Sequence, residues 1–389
     1  MTLDRDTLLR ADALVRADAL LRAGAQGLQG DPADFVVAAD HWLARGELEL
    51  AASALDRAFG LAPNELAIVE QRRDLLEQLR IVEHDLVFRY VPAGTFVMGS
   101  TQGDPDERPV HPVMLAGFWI TDVPITWAAY CELMGWAPPP ASHPPDIQQR
   151  ERMLGFHLNE ANKIRARYCW GDRALESLGP GAVDPDPYSE WIEPKAMTSS
   201  SFTAPRREGR PIAYDHKPMV AVGWADAEAL AERLGTSEVS YALPSEAQWE
   251  KAARGGLIGK RYSWGDEPPT RARCDFGNFG QFTIANPRSL PSNGYGLHGM
   301  CGGVWEWTST LYDALAYADQ AAGRIREDEG QIEQPDLRVL RGGSWADGAA
   351  AVTLSLRIAR EGRGWQSGEW SGADTPNVGF RLIRLGSPP

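Results

Sequence analysis

Over the first 85 residues apolar side chains recur three and four positions apart: Leu8, Leu9, Ala11 and Val15, then Phe35, Val36, Ala39, Trp42 and Leu43, then Leu50, Ala51, Ala54, Leu55 and Ala58. That spacing lines one apolar stripe along each of several α-helices. A turn at Arg45-Gly46 separates the last two, and the second ends before Pro63. From about Leu86 the period changes. Short runs at 88–91, 94–98, 113–120, 338–341 and 379–383, punctuated by Gly, Pro and Asn, predict strands. Two helices are signalled among them. Residues 224–234 carry Ala225, Ala229, Leu230 and Leu234 before the stop at Gly235. In LPSEAQWEKAARGG, Ser245 and Gln248 can form a capping box and Gly255-Gly256 ends the helix. Strands with few helices and long loops predict an α+β domain at 86–386, preceded by a small all-α domain at 1–85. Residues 135–216 begin APPPASHPP, carry a helical piece at about 147–168 and return to Pro/Ser/Gly-rich sequence, which reads as an insertion laid over the domain surface.

Composition sharpens the division. Of 39 Gly, 28 Pro and 14 Trp, residues 1–85 hold five, two and one. The remaining 304 residues therefore favour turns and flat packed surfaces over regular structure. The net charge of −14 would repel a phosphate backbone, so nucleic acid is not an expected partner. No run of about 18 apolar residues occurs and MTLDRDTLLR opens no apolar leader, so neither a membrane span nor a secretory signal is expected, and a cytoplasmic location is. Cys131, Cys169, Cys274 and Cys301 lie far apart with no CxxC spacing, which argues for isolated buried thiols rather than a zinc module or disulfide framework.

The stretch HWLARGELELAASALDRAFGLAP (41–63) resembles one tetratricopeptide repeat, with Gly46 at the turn, small Ala51, Ala54 and Ala58, and Pro63 closing the unit. One repeat cannot bury its own face, so the helices are expected to pack on the next domain, as a cap or as an arm for a helical-domain partner. Further on, YVPAGTFVMGS (90–100), ERPVHPVML (107–115), KPMVAVGWADAEALAERLG (217–235), YALPSEAQWEKAARGG (241–256), SNGYGLHGMCGGVWEW (292–307), RVLRGGSW (338–345) and NVGFRLIR (377–384) follow in order. Together they resemble the formylglycine-generating enzyme (sulfatase-modifying factor) family, which implies a C-type-lectin-like fold with little regular secondary structure.

The resemblance also implies chemistry that these residues depart from. The founding enzyme binds copper(I) through two cysteines after its GGS motif, as suits a soft ion. Aligned on Gly342-Gly343-Ser344, those positions are Asp347 and Val352, and residues 302–389 contain no cysteine. Relatives that make sulfoxides use histidine-bound iron. Here the histidines (41, 84, 111, 143, 157, 216, 298) include no pair four apart. No cofactor is expected, with one reservation. Some members bind structural calcium near the WEW motif, for which Asn278 and Glu306 are the candidate oxygen ligands, although the usual Asn of GNVWEW is Gly303.

Between RGGSW and VGFR the chain is idiosyncratic. This frame resembles the variable region of the retroelement-diversified C-type-lectin-fold proteins, which implies that the side chains within it recognise a ligand. Trp345, Ala346, Asp347, Ala349, Ala351, Thr353, Ser355, Arg357, Arg360, Trp365, Gln366 and Trp370 are the candidate contacts, rich in the Trp and Arg that dominate binding hot spots. Arg357 has a second reading as one half of a buried charge pair, and Trp365 and Trp370 as aromatic core. The leading expectation is a non-catalytic protein that binds a protein or other macromolecule through 345–376. The alternative is a metal-dependent oxidoreductase of the same superfamily with a non-standard site around Asp347, Ser344 and Trp307.

Overall fold

A computed structural model describes residues 13–16, 19, 29–134, 216–220, 222–277, 284–324, 337–362 and 377–386. After helical residues at 13–16, three helices follow: α1 (Pro32–Leu43), α2 (Leu48–Leu61) and α3 (Leu66–Gln78). Asp31 caps α1 by accepting the Ala33 amide, and Pro32 occupies the first position, where no amide hydrogen is needed. Ala51, Ala54 and Ala58 are fully buried, so α1 and α2 approach closely across small side chains. The third helix, α3, lies beyond what the repeat pattern indicated, because its mean composition is polar and only Ile68, Arg72, Leu75 and Leu76 face inward.

The strands form three antiparallel or mixed units. A five-stranded sheet has the order β1 (Ile81–Glu83), β2 (Leu86–Val91), β5 (Phe118–Thr121), β11 (Ile383–Leu385), β6 (Ser240–Ala242), antiparallel throughout. A four-stranded sheet has the order β10 (Val378–Gly379), β7 (Trp305–Leu311), β8 (Leu337–Arg341), β9 (Arg357–Glu361), with β10 parallel to β7. The hairpin β3 (Gly94–Met98) and β4 (His111–Leu115) stands apart. Helices α4 (Trp127–Leu133), α5 (Trp224–Leu234), α6 (Glu246–Arg254) and α7 (Ala316–Ala321) fill the spaces between. The architecture is the expected α+β one. Helix α5 has the expected bounds, and α6 carries the expected Ser245–Gln248 capping box.

Two predicted strands are corrected. The run 113–120 is two strands in different sheets, β4 and β5, and 379–383 likewise divides between β10 and β11. An apolar run does not say which partner each half pairs with. At the first break, a Cβ on Gly117 would stand 2.1 Å from the Tyr90 phenol oxygen, so the chain turns there over the ring of a β2 residue.

The helices and sheets share one continuous core that includes Phe35 and Leu55 along with Phe88, Trp119, Trp249 and Phe380. Arg72 of α3, 3% exposed, latches the helices down. Its guanidinium donates to Asp56 at 2.7 Å, to the Gly294 carbonyl at 2.8 Å and to the Gly255 carbonyl at 3.0 Å. It also lies over the rings of Phe59 and Tyr295.

Ion pairs inside the core hold the second sheet. The spacing E-AQW-E-KAA-R puts Glu246, Glu250 and Arg254 on one face of α6. Glu250, fully buried, accepts from Arg254, from Arg341 of β8 and from the Gly99 amide at 2.8 Å. Glu246 holds Arg357 of β9 through two bonds of 2.8 Å. Burial alone would raise the Glu250 carboxyl, but Arg254 and Arg341 outweigh it and hold it below the usual range. Next to this cluster, opposite Arg341 in the sheet, Glu306 of β7 pairs with Arg381 and accepts the Trp249 indole at 2.7 Å. Glu83 of β1 binds Arg384 of β11 at 2.7 Å and the Tyr241 hydroxyl of β6 at 2.6 Å, tying both edges of the five-stranded sheet to its interior.

Glu250→Ala leaves two arginines uncompensated in the core and is expected to cost about 3–5 kcal/mol in denaturant unfolding. Arg73→Ala, which breaks an exposed pair with Asp74, is expected to cost less than about 1 kcal/mol; equal losses in both variants would contradict the assignment. The Arg384 hydrogen bond also holds Glu83 below its ordinary 4.5, so its stabilisation is complete above that pH and lost as the pH falls through the lowered value. The gap in unfolding midpoint between the wild type and Glu83→Gln should therefore be widest near neutral pH and close on acidification below about 4.5.

Candidate functional site

The frame of the candidate segment is built on backbone. Gly342 and Gly343 take φ of 99° and 70°, and a Cβ on Gly343 would lie 2.3 Å from the Ala351 carbonyl. The RGGSW turn therefore folds back against residues 351–352 only with glycine there. The Gly302 amide donates to Gly342 at 2.8 Å and the Trp345 amide to Gly303 at 2.9 Å, so the CGG and GGS motifs are zipped together.

At the turn, Ser344 and Asp347 come together. Asp347 Oδ2 accepts the Ser344 amide at 3.0 Å, the Ser344 hydroxyl and the Trp305 indole at 2.8 Å. Ser344 Oγ, fully buried, accepts in turn from Asn377 at 3.0 Å. Trp307, grouped with these two in the alternative reading, lies elsewhere: it is buried and donates to the Val222 carbonyl at 2.7 Å. Val352 is fully buried and offers no donor atom. A pair of copper(I) thiolates has no counterpart here, since one position is apolar and the other is a hard carboxylate already accepting three hydrogen bonds. Calcium is no better served. Both oxygens of Glu306 are taken by Arg381, one of them also by Trp249, which corrects its assignment as a calcium ligand; Asn278 lies outside the described residues. Among the described residues no three of His, Cys, Asp and Glu are grouped to hold a metal.

Several proposed contacts are likewise redirected inward. Trp345 is fully buried in the core, and Arg357 takes its second reading as half of the Glu246 pair. Ala346 is half-buried against the core, while Ala349 and Arg360 are exposed. Trp365, Gln366 and Trp370 lie outside the described residues. Ala351, Thr353 and Ser355 share a different setting. With Ala350 and Leu356 these three line one wall of a groove of about 560 Å³.

The opposite wall was not legible as a site. It comprises Ser100–Asp104 with Val110, and the floor is closed by Lys260, Arg261 and Asp266. A Gly/Pro/Asp-rich loop between two motifs was its one available signal. The loop is held firmly. Gly99 is gripped on both sides, its amide by Glu250 and its carbonyl by Arg254 at 2.8 Å; Ser100 Oγ accepts the Gln102 and Gly103 amides, and the buried Glu107 accepts the Asp104 amide. Across the groove the Leu354 amide donates to the Arg261 carbonyl at 3.0 Å. Lys260 pairs with Asp266 at 2.6 Å, and that bond lowers the Asp266 carboxyl. Hydroxyls, small apolar surface and one exposed ion pair thus line a rigid cleft of ligand-binding size.

The histidines and thiols carry no competing centre among the described residues. His111 is buried, bonded to Pro109 and Gln320 and packed edge-on to Tyr317. Cys274 and Cys301 are free and buried, and burial pushes their thiols up to about 12 and about 11. They are protonated at neutral pH and poor nucleophiles.

Comparison with known proteins places these features in a family. The model of the sulfatase-modifying factor enzyme 1-like domain matches residues 81–385. A formylglycine-generating enzyme of Streptomyces coelicolor is 33% identical over 276 residues, 66% of this chain and 77% of that protein. The inactive C-alpha-formylglycine-generating enzyme 2 of Bos taurus is 29% identical over 314 residues, 77% of this chain and 88% of that protein. Among solved structures, Treponema denticola variable protein 1 aligns with a TM-score of 0.46 at 16% identity over 80% of this chain and 98% of that one. From the span of the domain match and the identity to the Streptomyces enzyme, the chain belongs to the formylglycine-generating enzyme family of sulfatase-modifying-factor domains.

Proposed function

We propose that the protein is a non-catalytic member of this family that recognises a protein or other macromolecular ligand in the groove walled by Ala351, Thr353 and Ser355 and by the 100–104 loop. The observation that carries the reading is the division of labour within 344–357. Ser344, Trp345, Val352 and Arg357 are buried and hold the frame, while the exposed Ala350, the half-buried Ala351 and the hydroxyl-bearing Thr353 and Ser355, mostly buried themselves, line the groove. Two further points favour binding over oxidation. The copper positions are Asp347 and Val352, and the described thiols are buried and protonated. The Bos taurus relative, similar over most of its length, bears a name that calls it inactive.

A phage-displayed random-peptide library panned on the full chain supplies the test. Selected peptides are expected to lose at least about tenfold in affinity for Ala350→Arg and Val110→Arg, two exposed positions that line the groove, a change of about 1.4 kcal/mol or more, while the thermal midpoints of both variants stay near wild type. Peptides that bind all three proteins equally would place recognition elsewhere. Conversion of a cysteine peptide to formylglycine by the copper-loaded protein, followed by mass spectrometry, would overturn the non-catalytic reading.

A further inference from the structure

Three buried arginines in this protein obey one rule. Arg357 presents Nε and Nη2 to the two oxygens of Glu246, Arg384 presents the same two atoms to Glu83, and Arg381 presents them to Glu306. Nε and Nη2 share one edge of the guanidinium, and that edge matches the paired oxygens of an oxyanion.

Arg57 of α2 breaks the rule. It is only 9% exposed, yet the same two atoms, Nε and Nη2, have no hydrogen-bond partner among the described residues. The neighbouring Asp56 is already engaged: Oδ1 accepts from Arg72 and Oδ2 from the Tyr295 hydroxyl at 2.9 Å. Arg57 lines a cavity of about 40 Å³ enclosed by α2, β3 and α6 with the turn that follows it. Asp56 lines the same cavity, as do further polar groups. Thr95 Oγ1 is buried and also without a partner among the described residues. Lys251, 3% exposed, gives its two hydrogen bonds to the carbonyls of Pro92 and Gly94 rather than to a carboxylate. The third cation, Arg254, is matched by Glu250. Two buried cations and a hydroxyl therefore converge beside a single carboxylate, Asp56, which lines the same cavity but is already shared with Arg72 and Tyr295; positive charge is left in excess, an arrangement that is costly unless an anion completes it.

We propose that this cavity binds a small oxyanion, gripped by the Nε and Nη2 edge of Arg57, with the Thr95 hydroxyl and the Lys251 ammonium as further donors. Its volume corresponds to roughly three water-sized bodies, which suits formate, sulfate or inorganic phosphate. Burial pushes Lys251 down to about 8 and lowers Arg57, and a bound anion would oppose both shifts. The occupant would touch α2 on one side and β3 and α6 on the other, so its binding energy would add to the docking of the helices. The site adjoins the groove, since Val97 lines both, but its anion chemistry does not depend on what the groove recognises.

The test is thermal unfolding and calorimetric titration of the full chain with inorganic phosphate, sulfate and formate, at constant ionic strength set with sodium chloride. At least one of the three is expected to raise the midpoint in a saturable way and to bind with one-to-one stoichiometry. Preference for formate assigns a carboxylate, and preference for phosphate or sulfate a tetrahedral anion. Arg57→Gln should abolish the saturable shift and Thr95→Val should weaken it several-fold, whereas Arg73→Gln, an exposed arginine of α3, should leave it unchanged. Because Arg57→Gln relieves a buried charge, it can be stable without ligand; if it fails to fold, Thr95→Val carries the test. Shifts that rise linearly without saturation, or that are the same in wild type and Thr95→Val, would overturn the proposal.

Discussion

The pairing of Glu246 and Glu250 on one face of α6 with arginines from β8 and β9 is the interaction on which the rest of this protein depends. A domain with short strands and long loops has few ladder hydrogen bonds to fix its parts. Here one helix supplies two carboxylates inside the core, and whatever packs on it must bring a cation or an amide. Arg341 and Arg357 come from adjacent strands, Arg254 from the helix itself, and the Gly99 amide from the loop that forms a wall of the groove. Tyr317 closes the cluster from α7, its phenol raised well above its ordinary range by burial and by Glu250. Removing water from so many charges is expensive, so the gain lies in specificity: only one arrangement of loop, helix and strands satisfies every partner.

The groove inherits its rigidity from that cluster. Its one wall hangs from Glu250 and Arg254 through Gly99, and its other wall ends in Arg357, held by Glu246. Between these anchors Val352 and Leu354 are buried in the core and hold the second wall against it. The C-terminal frame is fixed separately, by backbone bonds between the two glycine motifs and by the Ser344–Asp347 turn.

Much of this was readable in the sequence, and the limits have physical causes. Helices α5 and α6 were legible because caps, stops and a one-faced apolar pattern agree locally. The α+β class and the family followed from ordered motifs. Strand boundaries at 113–120 and 379–383 were not legible, because the chain changes sheets at a corner whose only trace is a glycine or a shift of partner. Within the site, composition misled. Trp345 and Arg357 have the chemistry of a binding hot spot, yet a large ring and a guanidinium also fill and bridge a core, and burial by distant residues decided between the two. The residues that do line the groove, Ala351, Thr353 and Ser355 among them, are small and unremarkable in type, and nothing in their order marks them.

The latch made by Arg72 has a bearing on how this chain can diverge. It grips the Gly255 and Gly294 carbonyls, groups that every amino acid carries, so the loops beneath the helices can exchange most of their side chains and still be held. The exceptions are the two glycines themselves, since a Cβ on Gly294 would stand 2.3 Å from the Gly255 oxygen and one on Gly255 2.7 Å from the Gly294 nitrogen. Across descendants, the mark of this contact would be an invariant arginine facing two invariant glycines in otherwise drifting loops.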